Sequence, residues 1–173
     1  MTRAFNKRLV FSTMGALLLI ETLFMAIATG VGFYYDEADQ GAFLVSTIIT
    51  FLGGVLGLLM GRRAPKQVGE REGYVIVATV WIFYSMFGML PFWLSGALTA
   101  PVDAWFETMA GFTTTGATVI RDVTAQTHTI LFWRALMQWV GGMGIIVLSV
   151  AILPMFGLGG MQLYSAEVTV VTY

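Results

Sequence analysis

Four long apolar segments, separated by short polar stretches, dominate the pattern of hydrophobic and polar positions along the chain. They cover residues 9–33, 41–60, 74–98 and 130–153. Each is long enough to cross about 30 Å of hydrocarbon as a helix, with some tilt. The pattern therefore predicts an all-α membrane protein with four transmembrane helices. Pro91, near the outer end of the third segment, predicts a kink or an end of that helix.

The stretch between the third and fourth segments is too short and too polar for another crossing. Residues 102–111 are amphipathic and correspond to about 15 Å of helix, or half a membrane. Pro101 and Asp103 suit the start of this helix. The sequence FTTTGATV follows at residues 112–119. Because non-helical backbone at membrane depth must be buried in protein or line a water-filled path, we predict a re-entrant pore helix and a filter loop.

Composition supports a membrane environment and removes several classes of function. The 173 residues are 57% hydrophobic and 11% charged, whereas soluble domains carry about 25% charged residues. The absence of cysteine excludes disulfides, thiolate metal sites and cysteine catalysis. A net charge of −1 gives no reason to expect a nucleic acid or another polyanion as a partner.

Basic residues divide the chain into parts and predict its orientation. Seven of the nine flank the first two apolar segments on one side, namely Arg3, Lys7, Arg8, Arg62, Arg63, Lys66 and Arg71. The positive-inside rule places this side, with the N-terminus, in the cytoplasm. We expect a two-helix extension with a basic cytoplasmic linker over residues 1–73, a helix–pore-loop–helix repeat over 74–154, and a tail on the cytoplasmic side over 155–173.

Glycines at four-residue spacing occur in the second apolar segment, at Gly53, Gly57 and Gly61. Small residues with this spacing let two membrane helices approach closely. The alternative is that they reflect the higher glycine content of membrane helices in general.

The threonine–glycine loop carries the chemistry expected of a cation filter. Carbonyl oxygens can replace the water that an ion sheds on entering a pore. Gly116 permits backbone angles that turn a carbonyl inward, while Thr114 and Thr115 favour extended backbone and add hydroxyl ligands. The partly negative C-terminal end of the short helix would favour a cation. We predict Thr114, Thr115 and Gly116 as the ligand set, flanked by Thr113 and Ala117.

Five polar residues near the predicted spans have structural and functional interpretations. Glu21, in the middle of a span, should face protein or water, either as a structural hydrogen-bonding group to a neighbouring helix or as an ion-pathway or proton-linked carboxylate. Glu107 could support the pore helix or add negative field. Arg134 should extend to the membrane interface or pair with an acid, for which Glu107 and Asp103 are candidates, rather than face the pore entrance. Gln138 is expected to hydrogen-bond the loop, and the lone His128 is not expected to bind a metal.

Three stretches resemble the N-terminal part of TrkH-type members of the Trk/Ktr/HKT potassium-transporter superfamily. They are REGYVIVATVW, WFETMAGFTTTGATV and FWRALMQWVGGMGIIVLSVAILPMFGLGGMQLYSAE, at residues 71–81, 105–119 and 132–167. The resemblance implies potassium uptake across the bacterial cytoplasmic (inner) membrane, with K⁺ as the transported ion and no organic cofactor. It also implies a filter with one glycine per repeat, here Gly116, and a cytoplasmic nucleotide-binding regulatory partner of the TrkA/KtrA type.

The superfamily's chains carry four repeats around one pore, whereas this chain carries one. Either four copies assemble with closed symmetry, or the sequence is the first segment of a longer protein. A non-conducting membrane scaffold is the alternative function. We do not expect an enzyme, because the sequence has no metal constellation, no serine–histidine–acid arrangement and no phosphate loop.

Overall fold

The computed structural model describes residues 6–62 and 70–152, and every regular element within these ranges is a helix. This confirms the all-α prediction. Most of the expected basic linker and the expected tail over 155–173 lie outside the described residues. The helices in chain order are α1 (Lys7–Tyr35), α2 (Gln40–Met60), α3 (Glu70–Gly88), α4 (Leu90–Leu94), α5 (Pro101–Phe112) and α6 (His128–Ile152).

Within the described ranges, three stretches of helix are long and apolar enough to cross a membrane. They are Lys7–Tyr35, Gln40–Met60 and Val75–Leu94, and they agree with the first three apolar segments of the sequence. Many of their large apolar side chains are exposed, among them Leu23, Leu52, Leu56 and Met86. Exposed apolar side chains of this number are expected where hydrocarbon, not water, is the solvent.

Helices α1 and α2 form a hairpin whose backbones nearly touch. A Cβ atom on Gly57 would lie 2.8 Å from Cα of Gly15, and one on Gly61 would meet the backbone of α1 at 2.4 Å. The close approach predicted for Gly57 and Gly61 is therefore confirmed. Gly53 differs, because a Cβ atom there would meet the ring of Phe87 in α3 at 2.8 Å. The glycine that Gly57 approaches on α1 is Gly15, and no regular spacing in the sequence indicated it.

The third apolar segment breaks where proline interrupts the helical ladder. Helix α3 ends at Gly88, and α4 is a separate short helix with Pro91 in its first turn. Proline has no N–H to donate to the preceding turn, so the break confirms its predicted effect. The segment was predicted to continue to residue 98, but α4 ends at Leu94, and Gly96 then adopts a left-handed backbone with φ 78°. Glycine takes this conformation without a Cβ penalty.

Aromatic packing fixes the short helix α5 between α3 and α6. Phe112, the last residue of α5, makes edge-to-face contacts with Tyr84 of α3 and Trp133 of α6, at centroid distances of 5.3 and 6.3 Å. The indole N–H of Trp133 donates to the carbonyl of Gly88 at 3.0 Å. Because these side chains are buried, the end of α5 has a defined position against both long helices.

Candidate functional site

Helix α5 begins at Pro101 and ends at Phe112, so the predicted short helix over 102–111 is confirmed with one more residue at each end. Its 12 residues correspond to about 18 Å, too short to cross a bilayer. The helix has two different faces. Ala104, Glu107 and Thr108 are buried against the protein, whereas Val102 and Trp105 on the other face are exposed.

The C-terminus of α5 closes in a Schellman motif, and Thr114 occupies its left-handed position. The amide of Thr115 donates to the carbonyl of Ala110 and that of Thr114 to the carbonyl of Gly111, both at 3.0 Å. Thr114 has φ 56°. Glycine is the usual residue here because a side chain costs free energy in this conformation. The expectation of extended backbone at Thr114 is therefore wrong, since helix termination imposes a turn on that residue.

The backbone after the turn is exposed and lacks regular hydrogen bonding. Residues 115–120 belong to no helix, and residues 114–119 are exposed to solvent. Gly116 has φ 75°, and a Cβ atom built on it would have no atom within 4 Å. The hydroxyls of Thr113 and Thr115 lie 2.8 Å apart. The five predicted site residues, Thr113 to Ala117, thus lie in or next to this exposed segment.

The buried Glu107 side chain of α5 binds the C-terminal end of this exposed segment. Its carboxylate is 3% exposed and accepts hydrogen bonds from the Thr118 hydroxyl, at 2.9 and 3.0 Å, and from the Val119 amide at 2.9 Å. The Nε of Arg134 in α6 donates to the same carboxylate at 2.8 Å. The predicted pairing of Arg134 with an acid is confirmed, and the acid is Glu107 rather than Asp103. Nothing in the sequence indicated that Thr118 and Val119 would donate hydrogen bonds to Glu107.

Helix α6 lies directly against the end of α5 because Gly141 has no side chain. A Cβ atom on Gly141 would lie 1.9 Å from the carbonyl oxygen of Phe112. Gln138, expected to hydrogen-bond the loop, is exposed and makes no hydrogen bond to it. One turn earlier, Arg134 makes the connection to the loop indirectly, through Glu107.

A second polar cluster joins the α1–α2 loop to the start of α6. The Glu37 carboxylate accepts hydrogen bonds from the backbone amides of His128 and Thr129, at 2.8 and 2.9 Å, and lies 2.8 Å from Nδ1 of His128. Burial alone raises the pKa of Glu37, but hydrogen bonds from Thr129 and His128 outweigh it and lower the pKa to about 2. Tyr35 stacks on His128 with the ring centroids 4.3 Å apart.

Residues 6–62 and 70–152 contain no group of three or more histidine, cysteine, aspartate or glutamate side chains placed to hold a metal ion. The only histidine serves instead in the contact between Glu37 and α6. Glu21 faces protein, as predicted. A hydrogen bond to a neighbouring helix was one interpretation of this residue, but neither of its carboxyl oxygens has a partner among the described residues.

Fold and site together define an all-helical membrane protein in which a short helix ends in an exposed threonine–glycine loop. The sequence matches the TrkH family, described as cation transport protein, over residues 40–170. The chain therefore belongs to the TrkH family.

Individual relatives agree with this assignment. The chain is 41% identical over 162 residues to a Trk system potassium uptake protein TrkH from Halomonas elongata, covering 93% of this chain and 34% of that protein. It is 35% identical over 161 residues to the Trk system potassium uptake protein TrkG from Escherichia coli, covering 92% and 33%.

A solved structure has the same fold. The crystal structure of the potassium transporter TrkH from Vibrio parahaemolyticus superposes with a TM-score of 0.82 at 35% identity, covering 93% of this chain and 35% of that one. The chain thus spans about a third of the length of the relatives that it matches.

Proposed function

We propose that this chain takes part in potassium transport across the bacterial cytoplasmic membrane and that residues 113–117 form one side of the ion filter. The observation that carries the proposal is the open backbone at Gly116, which follows a helix too short to span a membrane. A Cβ atom added to Gly116 would have no described atom within 4 Å. Relatives named as potassium uptake proteins support K⁺ as the ion.

In the proposed arrangement α1, α2, α3 with α4, and α6 are four transmembrane helices. Helix α5 is the re-entrant pore helix between the last two. The 25 residues of α6 correspond to about 37 Å, which is enough for a crossing. Basic residues at the start of α1 and after α2 favour a cytoplasmic N-terminus and an outer location for the α1–α2 loop. Residues 1–73 would then be the two-helix extension, 74–154 the pore-loop repeat and 155–173 a cytoplasmic tail.

The proposed filter works by replacing water around the ion. Carbonyl and hydroxyl oxygens of Thr114 and Thr115 offer ligands, and the left-handed Gly116 sets the direction of the next peptide. The C-terminal end of α5 adds a partial negative charge near the loop. Glu107 contributes little free negative field, since Arg134 pairs with its charge. Its role is to hold the loop's far end in place.

One loop cannot surround an ion, so further copies or further repeats of the same kind must complete the pore. Either four copies of this chain assemble around an axis, or the other three sides belong to the same longer polypeptide. The relatives' greater length supports the second arrangement. A cytoplasmic nucleotide-binding partner of the TrkA/KtrA type would act on the assembled pore, and membrane lipid would cover its outer surface.

The test compares two glycines with the same left-handed backbone conformation, where a serine would introduce the same strain. Gly116 has φ 75° and Gly96 has φ 78°, and a Cβ atom at either position would meet nothing within 4 Å. In the complete pore, in membrane vesicles, Gly116→Ser should change the ratio of potassium to sodium flux. Gly96→Ser should leave that ratio unchanged, because it carries the same strain away from the filter.

Native mass spectrometry of the purified assembly accompanies the flux measurement and identifies which arrangement completes the pore. If the wild-type assembly shows no potassium flux above protein-free vesicles, the chain is a non-conducting scaffold. If Gly116→Ser and Gly96→Ser give the same flux ratio as the wild type, the filter is not at Gly116.

A further inference from the structure

Glu21 is a carboxyl group in an unusual position. It lies halfway along α1 (Lys7–Tyr35) and is 1% exposed. Neither of its two carboxyl oxygens has a hydrogen-bond partner among the described residues. Buried polar groups are nearly always hydrogen-bonded, and the exceptions require an explanation.

The carboxyl group lines a narrow internal cavity, which consists of gaps between packed side chains that are too small for a water molecule. Tyr84 is the only other titratable side chain among the described residues of its lining. Its hydroxyl donates to the Leu17 carbonyl at 2.7 Å and so has no proton to offer Glu21. The remaining lining is apolar or aromatic and consists of Phe24, Phe112, Trp133, Met137 and Val140.

This cavity lies immediately behind the end of the short helix α5. Gly88 lies between Glu21 and α5. A Cβ atom on Gly88 would lie 2.8 Å from the ring of Phe112, 2.9 Å from a Glu21 carboxyl oxygen and 2.9 Å from the Thr108 methyl group. Phe112 is the last residue of α5, and Thr114 begins the exposed loop two residues later. Because these groups are closely packed, a change in the space that the Glu21 carboxyl group requires would displace the end of α5, which positions the loop.

Size and ligand count decide which species this carboxyl group can bind. Water is excluded by the size of the gaps. A metal cation stripped of water needs several oxygen ligands, and the described lining supplies only the carboxyl group and one hydroxyl. No cationic side chain among the described residues lines the cavity. An ionised carboxylate without water or a partner is strongly disfavoured in such a place.

We propose that Glu21 is a proton-binding site that holds its proton at neutral pH and keeps the space behind Phe112 dry and closed. Release of the proton to water leaves a carboxylate and changes no other bond. The carboxylate then requires solvation, which the gaps are too small to provide. Water must enter, and the end of α5 must shift away from α1. Proton binding by Glu21 does not rest on the proposed function, whereas the consequence of a shift of α5 for transport does.

Infrared spectroscopy of the assembly in lipid nanodiscs at neutral pH tests proton binding directly. A protonated carboxyl group gives a carbonyl stretching band that shifts in D₂O, and Glu21→Gln should remove this band. The matched control is Asp103→Asn, an exposed carboxyl on α5, which should leave the band unchanged. If Glu21→Gln and the wild type have the same carboxylic acid band, Glu21 is ionised and the proposal is overturned.

Hydrogen exchange tests the coupling to α5. Raising the pH should increase the amide exchange of residues 112–116 in the wild type beyond the intrinsic base-catalysed rise, and Glu21→Gln should abolish this excess. If Gln does not permit assembly, Glu21→Met, which is neutral and of similar length, replaces it in both measurements. Equal exchange in wild type and variant overturns the coupling. Neither measurement depends on potassium flux, so a failure here is distinct from a failure of the proposed function.

Discussion

Arg134 and Glu107 form a buried ion pair, with Nε of the arginine 2.8 Å from Oε1 of the glutamate. The same carboxylate accepts hydrogen bonds from Thr118 and Val119. One side chain of α5 therefore fixes both α6 and the loop after Gly116. Because the arginine neutralises the carboxylate, the pair determines where the loop lies and adds little to the field that an ion would experience.

Removing the charge of Glu107 should release the loop. Glu107→Gln leaves the Arg134 guanidinium largely buried without its anion, and breaking such a pair costs about 3–5 kcal/mol. The amide of Val119, which donates to Glu107 at 2.9 Å, should exchange faster in hydrogen-exchange mass spectrometry. Asp103→Asn, at an exposed position one turn earlier on the same helix, is the control and should leave the exchange unchanged. Unaltered protection of Val119 in Glu107→Gln would show that other contacts hold the loop.

Thr114 is strained, and relieving the strain should stabilise the protein. An L-residue in the left-handed region costs about 1–2 kcal/mol, whereas glycine costs about 0.5–1 kcal/mol through the entropy of the unfolded chain. Thr114→Gly should therefore raise the thermal midpoint of the purified protein slightly. Thr115→Gly should lower it, because Thr115 lacks a positive φ and loses its contact with the Thr113 hydroxyl. A lower midpoint for Thr114→Gly would argue against strain at this residue.

A methyl group at Gly141 should separate α6 from α5. The added Cβ atom would lie 1.9 Å from the Phe112 carbonyl oxygen, a backbone atom that cannot move aside alone. Overpacking of this kind typically costs about 1–3 kcal/mol, so Gly141→Ala should lower the thermal midpoint. Gly144→Ala, on the same helix with nothing within 4 Å, should not. Equal midpoints for the two variants would mean that α6 does not approach α5 as closely as described.

Glu37 should make stability depend on pH in the acid range. Its pKa is lowered from 4.5 to about 2 by hydrogen bonds from Thr129 and His128, which outweigh the opposite effect of burial. A lowered pKa in the folded state gives stability that is complete above the unfolded value and is lost as pH falls through the folded value. The thermal midpoint should thus fall between about pH 4.5 and 2.

Glu37→Gln should remove most of this acid dependence and lower the midpoint at neutral pH, because α6 loses its capping carboxylate. Asp36→Asn is the matched neighbour, since Asp36 is exposed and asparagine tolerates its φ of 52°. It should keep the slope of the wild type. An unchanged slope in Glu37→Gln would assign the acid sensitivity to another carboxyl group.

Local signals in the sequence predicted much of the helical layout. Pro101 begins α5 and Pro91 interrupts the third segment, because the missing N–H of proline acts on its own turn wherever it occurs. Gly116 stands where a positive φ is required. Thr114 was misjudged for a related reason, since its intrinsic preference for extended backbone is weaker than the geometry that ends the helix.

Polar pairing could be predicted only in part. The sequence indicated that Arg134 needs an acid within reach, but Asp103 and Glu107 lie one turn apart on the same helix. Only the position of Arg134 along α5 chose between them. The link from Glu37 to His128 joins residues 91 positions apart, a separation at which no local pattern operates.

The amino-acid sequence alone determined the membrane environment, the order of apolar segments and the position of the threonine–glycine loop, because hydropathy and backbone restrictions act over a few residues. The tertiary structure decided which groups stabilise that loop and what surrounds Glu21. Those outcomes depend on packing between α1, α3, α5 and α6, where Gly88 and Gly141 leave room for their neighbours. Distances of this kind are set by all the contacting helices together, and no single segment specifies them.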